Sequence, residues 1–586
     1  MLQEITEEVV LGVGLSGAKW IVHNPPYRDV VAIKQRFGLC EIVAQVLAIK
    51  RIPPEEVLDF LYPTLKLLLP DPFHLLDMEK AVNRILVAIQ KKEKVVVFGD
   101  YDVDGATASA LLKRYFNSIG LDISIYIPDR ITEGYGPNKE AFLKLKKEGN
   151  SLCITVDCGT VAYEPISVAQ DVGLDVIVVD HHIGSVTLPK ALAIINPNRL
   201  DEKSTCTYLS GVGTAFMLLV ALHKVLRQKG VFQRVKEPEL LNYLDLVALG
   251  TVCDVMPMLK LNRAYVRHGL KILSRRGNTG LRILSDALGI SEKPNTHHLG
   301  FSIGPHINAG GRVGNSGLGA KLLSSDDEIE CSRIVATLLD LNAERKEIEN
   351  NSFLEAASCA ESLVAEGKNI IMVAGNWHVG IIGIVAGRLK ERFFLPTIVI
   401  SLDGDTGKAS ARSVAGVDIG AAVLSAKLEN LIPEGGGHAM AAGFSVKKDQ
   451  LGKLYDFFLD RFKDVNIQKA MYSYGVLSTD AVSLTLCKEL QLLEPFGPGN
   501  TEPRFILKNV LIKSPSVVGG SHVRCLIDGD GSTLVRGICF RCTETEVGSV
   551  LLHCCTRVSL IGKVNINHWR GNEYVQFIIE DVSLSL

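Results

Sequence analysis

Four apolar runs of this chain each end in side chains that carry carboxylate or imidazole groups. The runs are VVVFGDYDVDG at 95–105, LCITVDCG at 152–159, VIVVDHH at 176–182 and LVALGTVCD at 246–254. Runs this rich in Val and Ile are typical of strands buried on both faces, as in parallel sheets covered by helices. The carboxyl ends of parallel strands share one sheet edge, where ligands bind in open α/β folds. We therefore predict that polar groups of all four runs meet there: Asp100, Asp102, Asp104, Asp157, Asp180, His181, His182 and Asp254.

Such a cluster is too acidic to stay ionised without cations. Neighbouring carboxylates raise one another's pKa unless divalent ions offset their charge. The mixture of carboxylate and imidazole suits Mn²⁺ or Mg²⁺ better than structural zinc, which favours thiolate surroundings. We expect two divalent cations, a pair that commonly catalyses phosphate ester hydrolysis by in-line displacement. Ordinary strand-end aspartates that cap helices are the alternative interpretation.

The size of the chain limits the possible classes. A chain of 586 residues with 47% hydrophobic content should form three or four domains with true cores. The formal charge of −2 gives no global nucleic-acid signature, so a polyanion would have to be held by local basic residues and by the metals. The N-terminal sequence MLQEITEEVVLGVGL lacks the positive start of a signal peptide, and no window approaches a membrane span. We expect a cytoplasmic protein.

The cysteines allow two interpretations. Thirteen scattered cysteines, an odd number, are typical of reduced core residues rather than of a disulfide framework. Cys539 and Cys542, with His553, Cys554 and Cys555 further on, have spacings compatible with a zinc site. The alternative is that they are buried side chains of β-strands.

The pattern along the chain predicts a multidomain α/β protein of five segments. Residues 1–74 are predicted to be a helical segment punctuated by prolines, and 75–322 an α/β domain with a parallel sheet that carries the metal ligands. A connecting helix is predicted over 323–366, before a second α/β domain over 367–465. That domain contains three segments rich in glycine or other small residues, at 375–389, 408–413 and 433–445, predicted to be loops whose backbone could approach phosphate. Short strands and glycine-rich turns over 466–586 predict an oligonucleotide-binding (OB) type β-barrel.

Eight stretches of the sequence resemble one enzyme family. DYDVDG, VDCG, VVDHH and GTVCDVMP, in this order, are similar to the four motifs of the DHH phosphoesterases. FSIGPHINAGGR at 301–312 and LEPFGPGNTEPRF at 493–505 resemble the branch that degrades single-stranded DNA, and GNWHVGIIGIVAGRLKERF and GGGHAMAAGFS resemble the DHH-associated domain. The resemblance implies that the metal ligands are Asp102, Asp104, Asp157, His181 and Asp254, with Asp100 as a possible further ligand. It implies that Asp157 bridges the ions.

The resemblance also assigns roles beyond the metals. His182 would contact the scissile phosphate and assist the leaving group as an acid, while Asp180 orients the imidazoles. Arg130, Arg312, Ser410 and Arg412 would form a pocket for a 5′ phosphate, because guanidinium groups match phosphate bidentately. His378 and His438 are further candidate substrate contacts in the glycine-rich segments. His306 stands where the family commonly carries Arg, which leaves open whether that position has a permanent charge.

The function implied is a 5′ to 3′ exonuclease specific for single-stranded DNA that releases 5′-mononucleotides and acts in DNA recombination and repair. Single-stranded DNA would be its partner, and the resemblance implies single-stranded-DNA-binding protein and a recombination helicase as protein partners. A phosphodiesterase for oligoribonucleotides or cyclic dinucleotides is an alternative that the predicted barrel disfavours. A non-catalytic DNA-binding scaffold is another, which the complete ligand set disfavours.

Overall fold

The computed structural model describes residues 7–130, 132–465, 467–569 and 572–584. The described part of the chain begins with a β-hairpin at 7–24, so the prediction of a helical segment over 1–74 is wrong for these residues, while residues 1–6 lie outside the described part. The hairpin is completed by a strand far along the chain, because β2 pairs in parallel with residues 470–473. The elements of this region are β1 (Glu7–Val13), β2 (Lys19–Asn24), α1 (Tyr27–Phe37), α2 (Glu41–Ile49), α3 (Val57–Leu61) and α4 (Leu65–Leu68).

A five-stranded parallel sheet with strand order β4-β3-β5-β6-β7 follows. Every residue of β3 and β5 is buried, as expected of parallel strands covered by helices on both faces. The predicted parallel-sheet domain is therefore confirmed. Its elements are α5 (Met78–Lys91), β3 (Val95–Gly99), α6 (Val103–Ser118), β4 (Ile123–Tyr126), α7 (Lys139–Lys147), β5 (Leu152–Val156), α8 (Tyr163–Asp171), β6 (Asp175–Val179) and β7 (Ala193–Ile195).

A helical layer completes this domain. The run LVALGTVC at 246–253 belongs to helix α10, which corrects the prediction of a fourth ligand-bearing strand. The helix is buried over 244–251, so no amphipathic period distinguishes its sequence from that of a buried strand. The elements are α9 (Gly211–Gln228), α10 (Leu244–Cys253), α11 (Lys260–Ser274), α12 (Thr279–Ala287), a π-helix (His298–Ile303), α13 (Gly304–Val313) and α14 (Leu318–Ser324).

A 38-residue helix, α15, leads to the second α/β domain. The sheet of this domain has the order β11-β12-β10-β9-β8, and only the β8–β9 pair among its described strands is parallel. Two of the three predicted loops are in fact strands, since 408–412 lies in β10 and 434–438 forms β11. The elements are α15 (Glu328–Ala365), β8 (Ile371–Gly375), α16 (Ile382–Phe393), β9 (Thr397–Asp403), β10 (Thr406–Arg412), α17 (Ile419–Leu428), β11 (Glu434–His438), β12 (Ala441–Lys447) and α18 (Leu451–Phe462).

The last part of the chain is a closed β-barrel. Strands β15, β16, β17, β19 and β18 pair in that order, and β15 pairs with β18 to close the ring. This confirms the predicted OB-type barrel. The elements are β13 (Ala470–Ser473), β14 (Val476–Leu477), α19 (Leu484–Leu490), β15 (Phe505–Val518), β16 (His522–Asp528), β17 (Leu534–Cys539), α20 (Glu546–His553), β18 (Val558–Trp569) and β19 (Asn572–Ser583).

Buried polar contacts join the barrel to the rest of the molecule. Asp581 accepts hydrogen bonds from the indole of Trp20 at 3.0 Å and from the hydroxyl of Ser16 at 2.7 Å, so the N-terminal hairpin is part of the barrel unit. Arg263 of α11 donates to backbone carbonyls of the 493–495 loop and of Phe60. The domain limits at 74, 322, 366 and 465 stay predictions. Among the described helices, none is both long and apolar enough to cross a membrane.

Candidate active site

Three of the predicted ligand segments follow neighbouring strands of the parallel sheet. Asp100 and Asp102 follow β3, Asp157 follows β5, and the segment 180–182 follows β6. These strands are adjacent, so their carboxyl ends meet at one edge. Asp254 reaches the same place by another route, as the C-terminal capping residue of α10, which packs on α6.

The predicted metal ligands converge in three overlapping groups, in each of which the ligand atoms lie within 4.8 Å of one another. His181 is central, with its Nε2 atom 3.1 Å from Asp157 Oδ1 and 3.4 Å from Asp254 Oδ2. Two of the groups share Asp157, the residue expected to bridge the ions. The groups are Asp157, His181 and His182; Asp104, His181 and Asp254; and Asp100, Asp102 and Asp157.

The carboxylates of this cluster lack compensating charge. Burial and the neighbouring carboxylates raise the pKa of Asp104 to about 7, and they raise the pKa values of Asp157 and Asp254 well above the ordinary range. The Oδ1 atom of Asp100 and the Oδ2 atom of Asp254 are buried without a hydrogen-bond partner among the described residues. Buried polar atoms normally have partners. Orphaned carboxylate oxygens around a neutral imidazole fit a pair of divalent cations, and these donors match Mn²⁺ or Mg²⁺.

Two backbone features hold the ligands in place. Asp157 has a φ of 61°, a left-handed conformation that is uncommon for a residue other than glycine. Strain of this kind is concentrated at functional sites. The two carboxylate oxygens of Asp104 accept the first amides of α9, from Gly211 at 2.5 Å and Val212 at 3.0 Å. A Cβ at Gly211 would lie 2.8 Å from the Cβ of Asp157, so α9 must begin with glycine here.

Asp180 organises the paired histidines. It accepts the backbone amides of His181 and His182 and, at 2.8 Å, the Nδ1 group of His182. Burial alone would raise the pKa of Asp180, but the hydrogen bond and charge of His182 hold it below its ordinary value. Burial likewise lowers the pKa of His182, and the contact with Asp180 more than offsets this, so that it lies above its ordinary value. Burial, followed by the charge of His182, lowers the pKa of His181 to about 4 and keeps that ring neutral for ligation.

Several residues that sequence reasoning missed form hydrogen bonds with the backbone or side chains of His181 and His182. The hydroxyl of Tyr135 lies 3.3 Å from both His182 Nδ1 and the carbonyl oxygen of Asp157. Asn196 donates to the carbonyl of His182 at 2.8 Å, and Asn198 donates to that of His181 at 2.5 Å. A signal for the asparagines was available, because AIINPN is another apolar run with polar residues at its end.

A cluster of arginines lies beside the metal ligands. Arg312 donates to the carbonyl of Gly380 at 2.8 Å, which places a residue of the first domain against the second. Burial and then the charge of Arg130 lower the pKa of Arg312 to about 10, and the charge of Arg412 lowers it further. Arg130 lies over the ring of Tyr101, 4.7 Å from its centre. None of the three forms a salt bridge among the described residues, so no carboxylate there neutralises their charge.

The remaining predicted substrate contacts lie around this cluster, on the second domain. Arg412 donates to the hydroxyl of Ser410 at 3.1 Å, and a Cβ at Gly383 would lie 3.0 Å from both side chains. The Nδ1 atom of His378 accepts the amide of Gly380 at 3.1 Å, next to the partner of Arg312. His438, at the end of the exposed strand β11, is close enough for its charge to act on His181.

His306 carries no permanent charge. The Oδ1 atom of Asn342 accepts a hydrogen bond from Arg345. The NH₂ group of Asn342 therefore points to His306 and donates to its Nε2 atom at 2.8 Å. The imidazole Nδ1 then donates to the carbonyl of Ser302 at 2.6 Å. This arrangement requires the neutral tautomer, and burial lowers the pKa of His306.

The cysteines do not form a metal site within the described residues. All thirteen are free, and no group that includes Cys539, Cys542 or their neighbours brings three ligand atoms together. Cys539 and Cys542 are buried in the barrel, whereas Cys555 is exposed. The buried pair thus behaves as core side chains.

Three parts of the chain match known domain families. Residues 94–251 match the DHH family N-terminal domain, 366–464 the DHHA1 domain and 475–581 the RecJ OB domain. The single-stranded-DNA-specific exonuclease RecJ of Bacillus subtilis is 32% identical over 97% of this chain and 71% of the relative. RecJ of Salmonella typhimurium is 36% identical over 86% of this chain and 90% of the relative.

Two solved structures are also similar. RecJ of Thermus thermophilus in complex with Mn²⁺ matches with a TM-score of 0.81 and 28% identity, over 97% of this chain and 80% of that one. A manganese-bound exonuclease RecJ matches with a TM-score of 0.55 and 31% identity, over 67% of this chain and 96% of that one.

Proposed function

The chain belongs to the RecJ family of single-stranded-DNA-specific exonucleases, and from this premise we propose that its acidic cluster and its arginine cluster act together to remove nucleotides from the 5′ end. The enzyme is a metal-dependent single-stranded-DNA exonuclease. The observation that carries the proposal is that buried carboxylate oxygens without hydrogen-bond partners lie beside guanidinium groups that form no salt bridge within the described residues. One cluster suits cations and the other suits a terminal phosphate.

The acidic cluster would hold the cations. Asp157 would bridge two ions, and the other ligands would be Asp100, Asp102, Asp104, His181 and Asp254. When bound, the ions supply activation of water and stabilisation of charge on the scissile phosphate. Asp180 keeps His182 in one orientation with Nδ1 occupied. The Nε2 atom, whose hydrogen-bond neighbour among the described residues is the Tyr135 hydroxyl at 3.4 Å, is the atom proposed to meet the substrate.

His182 is proposed to be the acid for the leaving group. Hydrolysis forms a bond from a water oxygen to phosphorus and breaks the bond from phosphorus to the 3′ oxygen of the first nucleotide. That oxygen takes a proton from His182 Nε2, whose raised pKa keeps the imidazole protonated closer to neutral pH. The side chain of His182 is 41% exposed towards the cleft, whereas His181 is 9% exposed.

The arginine cluster would select the 5′ end of the DNA strand by binding its terminal phosphate. A terminal phosphate carries more charge than an internal diester, and Arg130, Arg312 and Arg412 with Ser410 offer it several donors. His378 and His438 would line the same pocket. Cleavage leaves a new 5′ phosphate on the shortened strand, so each product is the next ligand of the pocket. Repeated binding of this kind would favour stepwise release of 5′-mononucleotides.

The barrel would hold the strand upstream of the cut. OB folds bind single strands through basic grooves and aromatic faces without sequence preference. A passage that admits one strand between the two α/β domains would exclude a duplex. The proposed biological setting is DNA recombination and repair, and single-stranded-DNA-binding protein and a recombination helicase are proposed as protein partners on family resemblance alone.

Digestion of end-labelled DNA in Mn²⁺ tests the proposal. Single strands labelled at the 5′ end should release labelled mononucleotide at once, whereas strands labelled at the 3′ end should shorten gradually and duplex should resist. An Asp157→Ala variant should be inactive. Cleavage confined to short RNA or dinucleotides would contradict the proposal and assign the site to a small-substrate phosphodiesterase.

A further inference from the structure

An aromatic pair between the barrel and the cleft has no role in the site described above. Phe301 is 76% exposed and lies in the π-helix that precedes α13. Its ring stacks on that of His297, with centroids 4.9 Å apart and planes inclined by 22°. π-helical turns occur frequently at functional sites. The pair therefore presents a flat aromatic face to solvent at a place where the helix geometry is itself unusual.

The two ends of this helical segment lie against different domains. At the C-terminal end, Arg312 donates to Gly380 of the second α/β domain, and the glycine before it packs against the backbone of Tyr101. At the N-terminal end, His297 is close enough to Glu502 and Lys563 of the barrel to interact with their charges. The segment 297–312 therefore runs from the barrel to the phosphate pocket.

One face of this segment carries accessible side chains at helical spacing. Phe301, Pro305, Asn308 and Arg312 follow one another at intervals of four, three and four residues, which places them on one side of the helix. All four are partly or fully exposed. At about 1.5 Å per residue, Phe301 lies roughly 16 Å from Arg312 along the axis. A single strand covers that distance with a few nucleotides.

We propose that Phe301 and His297 form a stacking platform for an unpaired base on the strand that leads from the barrel to the cleft. The inference rests on the proposed function and adds a specific contact to it. Stacking on an aromatic face is indifferent to base identity, as a general exonuclease requires. Paired bases in a duplex keep their faces covered, so the platform binds single strands only and helps to hold the strand in register.

Substrate length gives a sharp test. For a twenty-nucleotide strand, Phe301→Ala should raise KM about 5- to 150-fold, the range expected for loss of one stacked base. A dinucleotide cannot span from the pocket to Phe301, so its kcat/KM should not change. Phe301→Trp should keep the parental KM because it restores a stacking face. Tyr27→Ala removes an aromatic ring that is 68% exposed on α1 and serves as the matched control.

A fluorescent base locates the contact. 2-Aminopurine placed at successive positions of the strand should be quenched most at one position in the parent and in Phe301→Trp, and at none in Phe301→Ala. The platform would be overturned if Phe301→Ala lowered kcat/KM equally on both substrate lengths or on neither. It would also be overturned if Phe301→Trp had a KM as high as that of Phe301→Ala. Failure of the parent to degrade single strands would instead refute the proposed function, while the quenching experiment would still decide whether the platform binds.

Discussion

Replacement of Arg412 should separate recognition of the 5′ phosphate from the cutting reaction. Nη1 of Arg412 is used by Ser410 and by the carbonyl of residue 411. Nη2 faces the space above Gly383, where an added Cβ would lie only 3.0 Å away. The side chain can thus offer one or two further charge-assisted hydrogen bonds. Each is worth about 1.5–3 kcal/mol, so Arg412→Gln should lower kcat/KM about 10- to 150-fold on a strand with a 5′ phosphate.

The assay compares one strand with a 5′ phosphate and the same strand with a 5′ hydroxyl. The kcat/KM of the Gln variant should fall little on the strand with a 5′ hydroxyl, because that strand has no 5′ phosphate for Arg412 to contact. Arg412→Lys should recover part of the loss, since it keeps the charge but not the fork of donors. An equal loss on both strands would refute the reasoning, because it would show that Arg412 supports the structure of the cleft rather than binding the phosphate.

Three further predictions concern metal, packing and pH. Mn²⁺ should restore activity after chelation. It should also raise the midpoint of thermal unfolding of the parent but not of Asp157→Ala, because cations stabilise a folded state that binds them. An equal rise in both proteins would contradict the assigned site. Asp581→Ala should reduce the free energy of unfolding by about 3 kcal/mol, since it leaves the buried indole of Trp20 without an acceptor; urea unfolding measures this, and a change below 1 kcal/mol would count against it. Burial raises the pKa of Asp245 to about 6, so on raising the pH this group loses its proton in the unfolded state before it does so in the folded state. The free energy of unfolding should therefore fall as pH rises from about 4 to about 6. Asp245→Asn should flatten that part of the plot of unfolding free energy against pH, and an unchanged slope would refute the assignment.

The parts of the site that the sequence predicts are those whose signal is local. Strands β3, β5 and β6 are short apolar runs that end in acidic residues, and the rule for parallel sheets brings those ends together. Asp254 was placed correctly although its helix was predicted as a strand. The reason is that α10 is buried on nearly all sides, which removes the 3.6-residue period. The end of the element, not its type, determined where the ligand lies.

The missed parts depend on contacts that are distant in sequence. The strand character of 7–24 is stabilised by β13, more than 440 residues away, so no local window indicates the three-stranded sheet. The segment KASARS was interpreted as a loop because it is rich in small residues. It is a strand because β9 and β12 pair with it on both sides, and that pairing fixes Ser410 and Arg412 on the face that meets Gly383.

The junction between barrel and cleft determines whether a strand of fixed length can link the two. Arg263 is fully buried, its guanidinium lies 3.8 Å from the ring of Phe60, and its hydrogen bonds go to backbone carbonyls of Phe60 and of residues 493–495. Separating the barrel from α11 would leave a buried charge without these acceptors, which is costly. The barrel is therefore held at a constant distance from the phosphate pocket. For a strand bound at both places, a constant distance fixes the number of nucleotides that would lie between barrel and pocket after every cut, whatever the length of the product released.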